Sequence, residues 1–192
     1  MNAVKCGSTL LDLGCCVGQD LRKLVYDGAP PEKLWGADLH PKFFELGYDL
    51  FRDRDRLGGQ FLSADIFAGN GLEELKGKVD IVHISLFLHS WDWDLQVKIC
   101  EAIVAILKAE KGVKVLGQQM GDTEPGPVLY GQKVLYKHNE KSFEKLWKEV
   151  GTRTKTEWEV NASLDYGMGI GEGRRTWDAD TTRRLVFEVV RL

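Results

Sequence analysis

Five short apolar runs, each followed by a helical stretch, constrain the fold of this chain more than any other feature. The runs are Leu10–Leu13, Leu34–Ala37, Phe61–Ala64, Val79–Leu86 and Val113–Leu116. Near-continuous apolar runs of this length suit parallel strands buried on both faces. The intervening segments have helical spacing. Leu21, Leu24 and Val25 share one face, and Gly28 is placed to stop that helix before Pro30 and Pro31. Pro41 is placed to start a second helix, carrying Phe43, Phe44, Gly47 and Tyr48. A third begins at Asp94, carries Leu95, Ile99, Ala102, Ile103 and Ile106, and is expected to end near Gly112. Repeated β-then-α units predict an α/β fold with a doubly wound, mostly parallel sheet.

The last third reads differently. A helix is expected over Glu140 to Val150, with Phe143, Leu146, Trp147 and Val150 on one face. Then "KTEWEVNASLDY" and "TTRRLVFEVVRL" alternate as strands do, separated by "GMGIGEGRRTWDAD". So short a connection joins two strands antiparallel. The 192 residues are read as one domain, 1–192, long enough to bury a real core.

Composition narrows the function classes. Apolar residues make up 43% and charged residues 29%, a globular balance, and the net charge is −3. That balance offers nothing to nucleic acid or an acidic membrane surface, so neither is expected as a partner. No apolar run approaches the roughly 20 residues of a membrane span. "MNAVKCGS" is too short and polar for a signal peptide, and a cytoplasmic location is expected. Cys6, Cys15, Cys16 and Cys100 fit no zinc spacing and are read as reduced thiols, so no metal is expected.

In open α/β sheets, ligands bind beyond the carboxyl ends of the strands. The first such end is "LLDLGCCVGQD", with Asp12, Gly14, Cys15, Cys16 and Gly18 between strand and helix. Gly14 lets backbone approach a ligand, Gly18 allows tight packing, and the following helix offers free N–H groups to an anion. The dinucleotide pattern G-x-G-x-x-G is absent. The second strand ends in "WGADLHP", placing Asp38 and Leu39 at its tip, where an acid can accept ribose hydroxyls. The third ends in "FLSADIF", where Asp65 can accept an adenine amino group and the Ile66 N–H can donate to the ring. The fourth ends in "HISLFLHSW", which sets Ser85 to His89 over the crevice. Any one of these acids reads equally as a helix cap. Three successive tips with a useful group are harder to assign to coincidence.

These residues carry a family resemblance. "LLDLGCCVGQD", "GADLHP", "SADIF" and "VDIVHISLFLHSW" resemble motifs I to IV of the class I S-adenosylmethionine-dependent methyltransferases. More narrowly, "LLDLGCCVGQDLRKLVYDGAP", "LGYDLFRDRDRL" and "SFEKLWKEVG" resemble fungal secondary-metabolite methyltransferases, including carboxyl O-methyltransferases of meroterpenoid pathways. The resemblance implies a seven-stranded sheet ordered 3-2-1-4-5-7-6 and S-adenosylmethionine as cofactor. Its cofactor residues would be Asp12, Gly14, Cys15, Cys16, Gly18, Asp38, Leu39, Asp65, Ile66 and Ser85. Cys16 stands where the general pattern has glycine; the fungal group shares the cysteine pair.

On the acceptor side, His89 is the candidate catalytic base or anchor. His83 is expected in the core, His40 as a helix cap, and His138 at the start of a helix. Trp91, Trp93, Gln118, Gln119 and Met120 are candidates to line an apolar acceptor pocket. Arg174 and Arg175, with Trp177 in a loop bearing Gly167, Gly169, Gly171 and Gly173, are candidates to meet a carboxylate. A small-molecule acceptor is the expected partner. A cofactor-binding scaffold with little activity is the alternative from another class. Relatives in the fungal group carry N-terminal helices over cofactor and substrate. With the first strand at Thr9, the expectation is a complete cofactor crevice without that lid, and possible homodimerisation through the uncovered surface.

Overall fold

The computed structural model describes residues 2–57, 60–165 and 179–192. Seven strands form one sheet. They are β1 (Leu10–Leu13), β2 (Leu34–Asp38), β3 (Gln60–Ser63), β4 (Ile81–Ser85), β5 (Lys114–Asp122), β8 (Trp158–Asp165) and β9 (Thr182–Arg191). Their order is β3-β2-β1-β4-β5-β9-β8. β1 to β5 pair in parallel, and β9 lies antiparallel between β5 and β8. Leaving aside one inserted hairpin, this is the predicted order. The insertion was not predicted: β6 (Gly126–Tyr130) and β7 (Lys133–Lys137) pair antiparallel outside the main sheet.

Helices cover both faces. On one lie α1 (Asn2–Lys5), α2 (Gln19–Tyr26) and α3 (Lys42–Phe51), whose Val4, Leu21 and Phe44 pack with Leu10, Leu34 and Ile81. On the other, α5 (Trp93–Ile106) and α6 (Glu140–Thr154) pack Ile99, Ile103, Phe143 and Trp147 against Leu11, Val82, Val115 and Val189. The short α4 (Arg54–Leu57) follows α3. Strand alternation sorts the sheet accordingly. Leu11 and Leu13 face α5, while Leu10 and Asp12 face α2.

Local chemistry sets the boundaries. α5 starts one residue early because Asp92 caps it, its Oδ1 accepting from Leu95 N at 2.8 Å. It ends at Ile106, well short of Gly112. α6 opens on a reciprocal box in which Asn139 and Ser142 bond each other's backbone N–H. His40 is not a cap: Pro41 occupies the N-cap position of α3 without a side-chain bond, and His40 packs edge-on against Phe43. β4 ends at Ser85 although the apolar run continues, because Leu86 turns to φ +53. Arg22 of α2 clamps α3 and α4: its Nε and Nη2 donate to Asp53 at 2.7 and 3.1 Å, beneath the rings of Phe51 and Tyr48.

Candidate functional site

The carboxyl ends of β1, β2 and β3 enclose a small cleft of about 120 Å³. Gly14, Asp38, Leu39, Asp65 and Ile66 line it, together with Phe67, Phe87 and Trp91. So the predicted tips of three successive strands converge on one space. The turn after β1 is tied to β2 by backbone: Gly14 N and Cys15 N both donate to Ala37 O, at 2.8 and 3.1 Å. Gly14 has φ +76, and a Cβ there would meet the Phe87 ring at 2.6 Å. That position needs glycine for both reasons.

Cys16 shows why two cysteines in this turn are unusual. Its φ is +51, a left-handed conformation that glycine adopts freely. Its backbone N–H donates to Asp38 Oδ2 at 3.0 Å, while His40 N donates to Asp38 Oδ1 at 2.9 Å. Asp38 thus joins the first two strand tips, and each oxygen keeps a lone pair for a ligand. Cys15 is buried, and burial drives its thiol well above the ordinary range. It is a packing residue, not a reactive one. Gly18 is the N-cap of α2, packed where a Cβ would strike Arg22 and Phe61.

Asp65 serves its own loop with one oxygen. Oδ1 accepts from Phe67 N at 2.9 Å and Ala68 N at 3.2 Å. This is the loop role that the sequence left open for Asp65, and it uses Oδ1. Ile66 lines the cleft beside it. The Phe67 ring meets Trp91 edge-on at 4.7 Å and closes this end.

Asp12 does not line the cleft. It is buried below it, its Oδ1 2.8 Å from His83 Nδ1. Burial raises the Asp12 pKa despite His83. For His83, burial opposes the charge, but the bond to Asp12 and its charge outweigh it, and the net shift is upward. Both shifts favour the protonated form of the pair relative to the free side chains. Asp20 of α2 adds its charge to this pair. Asp12 Oδ2 is buried with no hydrogen-bond partner. His83 was expected in the core; it is half-buried instead and paired across 71 residues of sequence. Ser85 and Gln118 are register neighbours on β4 and β5, beside the cleft without lining it.

His89 lies in the single 3-10 turn Leu88–Ser90. Burial, then the charge of Lys137, lowers its pKa to about 4, so it stays neutral and weakly basic. Lys137 donates to Thr182 Oγ1 at 2.9 Å and lies 3.8 Å from Asp122 Oδ2. His138, expected at a helix start, is fully buried there. Its ring bridges Gln96 Oε1 at 3.1 Å and Ser142 Oγ at 3.0 Å. Gln96 Nε2 donates to the carbonyls of Trp91 and Tyr136, both at 3.0 Å, which leaves Oε1 as acceptor and puts the His138 proton on Nε2. This network anchors the loop after β4 to the inserted hairpin, as does Tyr136 N donating to Trp91 O at 2.9 Å. Arg174, Arg175 and Trp177 lie outside the described residues.

Two lining groups escaped the sequence reading: Phe67 and the apolar floor of Leu13, Ala37 and Ala64. Aromatics directly after strand ends were the available signal. A larger open depression of about 500 Å³ lies at the far end of the sheet, between α6 and β8. Its lining, Lys148, Thr152, Lys155 and Trp158 among others, brings together none of the predicted residues.

No protein-family model matches the chain. It is 46% identical over 190 residues to the O-methyltransferase atr3 of Stereocaulon alpinum, spanning 96% of this chain and 54% of atr3. It is 39% identical over 197 residues to the O-methyltransferase phiE of another fungus, spanning 93% of this chain and 65% of phiE. The chain thus spans about half to two-thirds of the curated relatives it matches. Among solved structures, a phosphoethanolamine N-methyltransferase of Haemonchus contortus, bound to S-adenosylhomocysteine, superposes with a TM-score of 0.67 at 15% identity. That superposition covers 96% of this chain and 48% of the other.

Proposed function

We propose that the chain is a class I S-adenosylmethionine-dependent methyltransferase, which binds S-adenosylmethionine in this cleft and methylates an oxygen of a small molecule. The observation that carries the proposal is the convergence of Gly14, Asp38 and Asp65 from three successive strand tips on one space. The residues present suit the cofactor's parts. Asp38 retains a lone pair on each oxygen for two ribose hydroxyls. The Asp65 oxygen not used by its loop faces an adenine amino group. Glycine at position 14 leaves the turn open to the amino-acid end. When bound, the cofactor supplies a methyl group on a sulfonium, ready for in-line displacement.

The chain's own contribution is then positioning and exclusion of water. Phe67, Phe87 and Trp91 wall the cleft with apolar rings. His89, held neutral, is better suited to a hydrogen bond than to removing a proton from a phenol or alcohol. A substrate carboxylate arrives ionised and needs no such base. That favours a carboxylic acid, in keeping with the resemblance to fungal secondary-metabolite enzymes. Gln118, and Arg174 and Arg175 beyond the described residues, remain candidates for the acceptor side. Exposed Leu39 and Leu86 near the mouth suit pairing with a second copy, which sedimentation would detect.

The test is direct. Purified protein is incubated with methyl-labelled S-adenosylmethionine and a fungal metabolite extract, and calorimetry compares this cofactor with a nicotinamide dinucleotide. Label in an ester or ether product, with binding of S-adenosylmethionine alone, supports the proposal. Binding of the dinucleotide instead, or of neither, refutes it.

A further inference from the structure

Gln119 lies in the middle of β5 with its side chain 1% exposed, and neither its Nε2 nor its Oε1 has a hydrogen-bond partner among the described residues. It pairs in register with Leu185 and so faces the α5–α6 side of the sheet, inside the main core. A primary amide without partners in such a place costs the full desolvation penalty of two polar atoms. Methionine or leucine would fill the space at no such cost.

Two other buried polar atoms, His89 Nδ1 and Trp91 Nε1, also have no hydrogen-bond partner among the described residues. Both belong to the segment just after β4, and its 3-10 turn packs against β5 and β7. Trp91 also lines the cofactor cleft. The orphaned groups thus lie on adjoining elements, the segment that walls the cleft and β5 behind it. Together they offer an indole N–H, an imidazole nitrogen, an amide N–H₂ and one carbonyl oxygen, all uncharged. Donors outnumber acceptors, which fits a carboxylate with an adjacent hydroxyl.

The segment after β4 lies between the cleft and β5, with Leu86 N donating to Gln118 O at 2.7 Å. Leu86 takes φ +53 at its start, and Phe87 lies on Gly14 inside the cleft. At about 120 Å³ the cleft is well below the roughly 300–1,000 Å³ of small-molecule pockets, and this segment is a wall whose displacement would widen it. Its movement would uncover Gln119.

Resting on the methyl-transfer reading above, we propose that Gln119, with Trp91 and His89, binds the carboxyl group of the acceptor and sets the enzyme's preference for acids. One carboxylate oxygen attacks the methyl carbon as the carbon–sulfur bond breaks. The electron pair stays on sulfur, which becomes a neutral thioether; the acid becomes its methyl ester, and no proton moves. Trp91 and Gln119 hold the oxygens by donation, and the Gln119 carbonyl accepts from a neighbouring hydroxyl.

The test uses Gln119→Met, similar in shape and without the amide. Three readouts are taken: thermal unfolding without ligand, S-adenosylmethionine affinity by calorimetry, and binding of salicylate, 4-hydroxybenzoate and farnesoate to protein saturated with S-adenosylhomocysteine. The proposal predicts a melting temperature unchanged or raised by roughly 2–4 °C, unchanged cofactor affinity, and at least tenfold weaker binding of whichever acid binds the wild type. A lowered melting temperature with unchanged acid affinity would show the amide to be structural and overturn the proposal. So would failure of all three acids to bind the wild-type protein. Failure of the wild type to bind S-adenosylmethionine would instead overturn the underlying methyltransferase reading.

Discussion

Acidification should destabilise this protein well above the pH at which carboxylates protonate, and His138 is the main reason. The imidazole is fully buried and lies between Gln96 and Ser142. Burial lowers its pKa from 6.5 to about 3. In the unfolded chain it titrates near 6.5. Below that pH the unfolded state therefore binds the extra proton and the folded state does not. Stability is complete above about 6.5 and is lost as pH falls toward the folded value. The slope is about 1.4 kcal/mol per pH unit per histidine, so between pH 6.5 and 5.0 His138 removes about 2 kcal/mol. His89, lowered to about 4, adds a loss of similar size in the same window. The sum of about 4 kcal/mol is a large share of the 5–15 kcal/mol typical of a domain. His83 does not offset it. Its raised pKa gives stability already complete below 6.5 and lost only as pH rises through the folded value. Asp12, also raised, works in the opposite sense as it takes up its proton. The assay is urea unfolding followed by tryptophan fluorescence from pH 7.5 to 5.0, on wild type and His138→Gln, with the histidine ring protons titrated by NMR. The variant should lose about one proton's worth of slope. A wild-type stability flat across this range, or a His138 resonance titrating near 6.5, would refute the reasoning.

Other perturbations follow from the same geometry. Arg22→Met should destabilise by about 3 kcal/mol, since Asp53 would keep a poorly hydrated carboxylate without its bidentate partner; Arg22→Lys should recover only part of this in denaturant titration. Cys16→Gly relieves a left-handed residue and should leave stability equal or up to about 1 kcal/mol higher, with cofactor affinity unchanged; a clear loss of either would show that the thiol has a role. Gly14→Ala combines positive φ with a 2.6 Å approach to Phe87, and calorimetry should show cofactor binding reduced at least tenfold.

Much of the fold was legible because apolar runs and helical spacing are local signals. The parallel strands and the closing antiparallel pair follow from them, whereas the order of the sheet was implied by the family resemblance. The β6–β7 hairpin was missed although "VLYGQKVLY" carries its own signal, two β-prone triplets about a short turn with Gly131 at φ +60. Its surface position is the reason: Leu129, Tyr130 and Val134 are exposed, so burial imposes no clear alternation there. Of the site, the strand-tip residues could be placed because topology alone brings such tips together. The bond between Asp12 and His83 could not, since alternation assigns a face but not a partner 71 residues away. Nor could the unpartnered state of Gln119, which depends on what surrounds it in three dimensions.

The central claim is that the cleft between β1, β2 and β3 reads an adenosyl cofactor through its strand-tip acids. Asp65→Asn tests it most cleanly. An asparagine keeps the oxygen that accepts from Phe67 N and Ala68 N, so the loop survives, and replaces the other oxygen with an N–H donor. Facing an adenine amino group, that donor should cost about 1.5–3 kcal/mol, roughly ten- to a hundredfold in S-adenosylmethionine affinity by calorimetry, with the melting temperature unchanged. Wild-type affinity in the folded variant would contradict the claim.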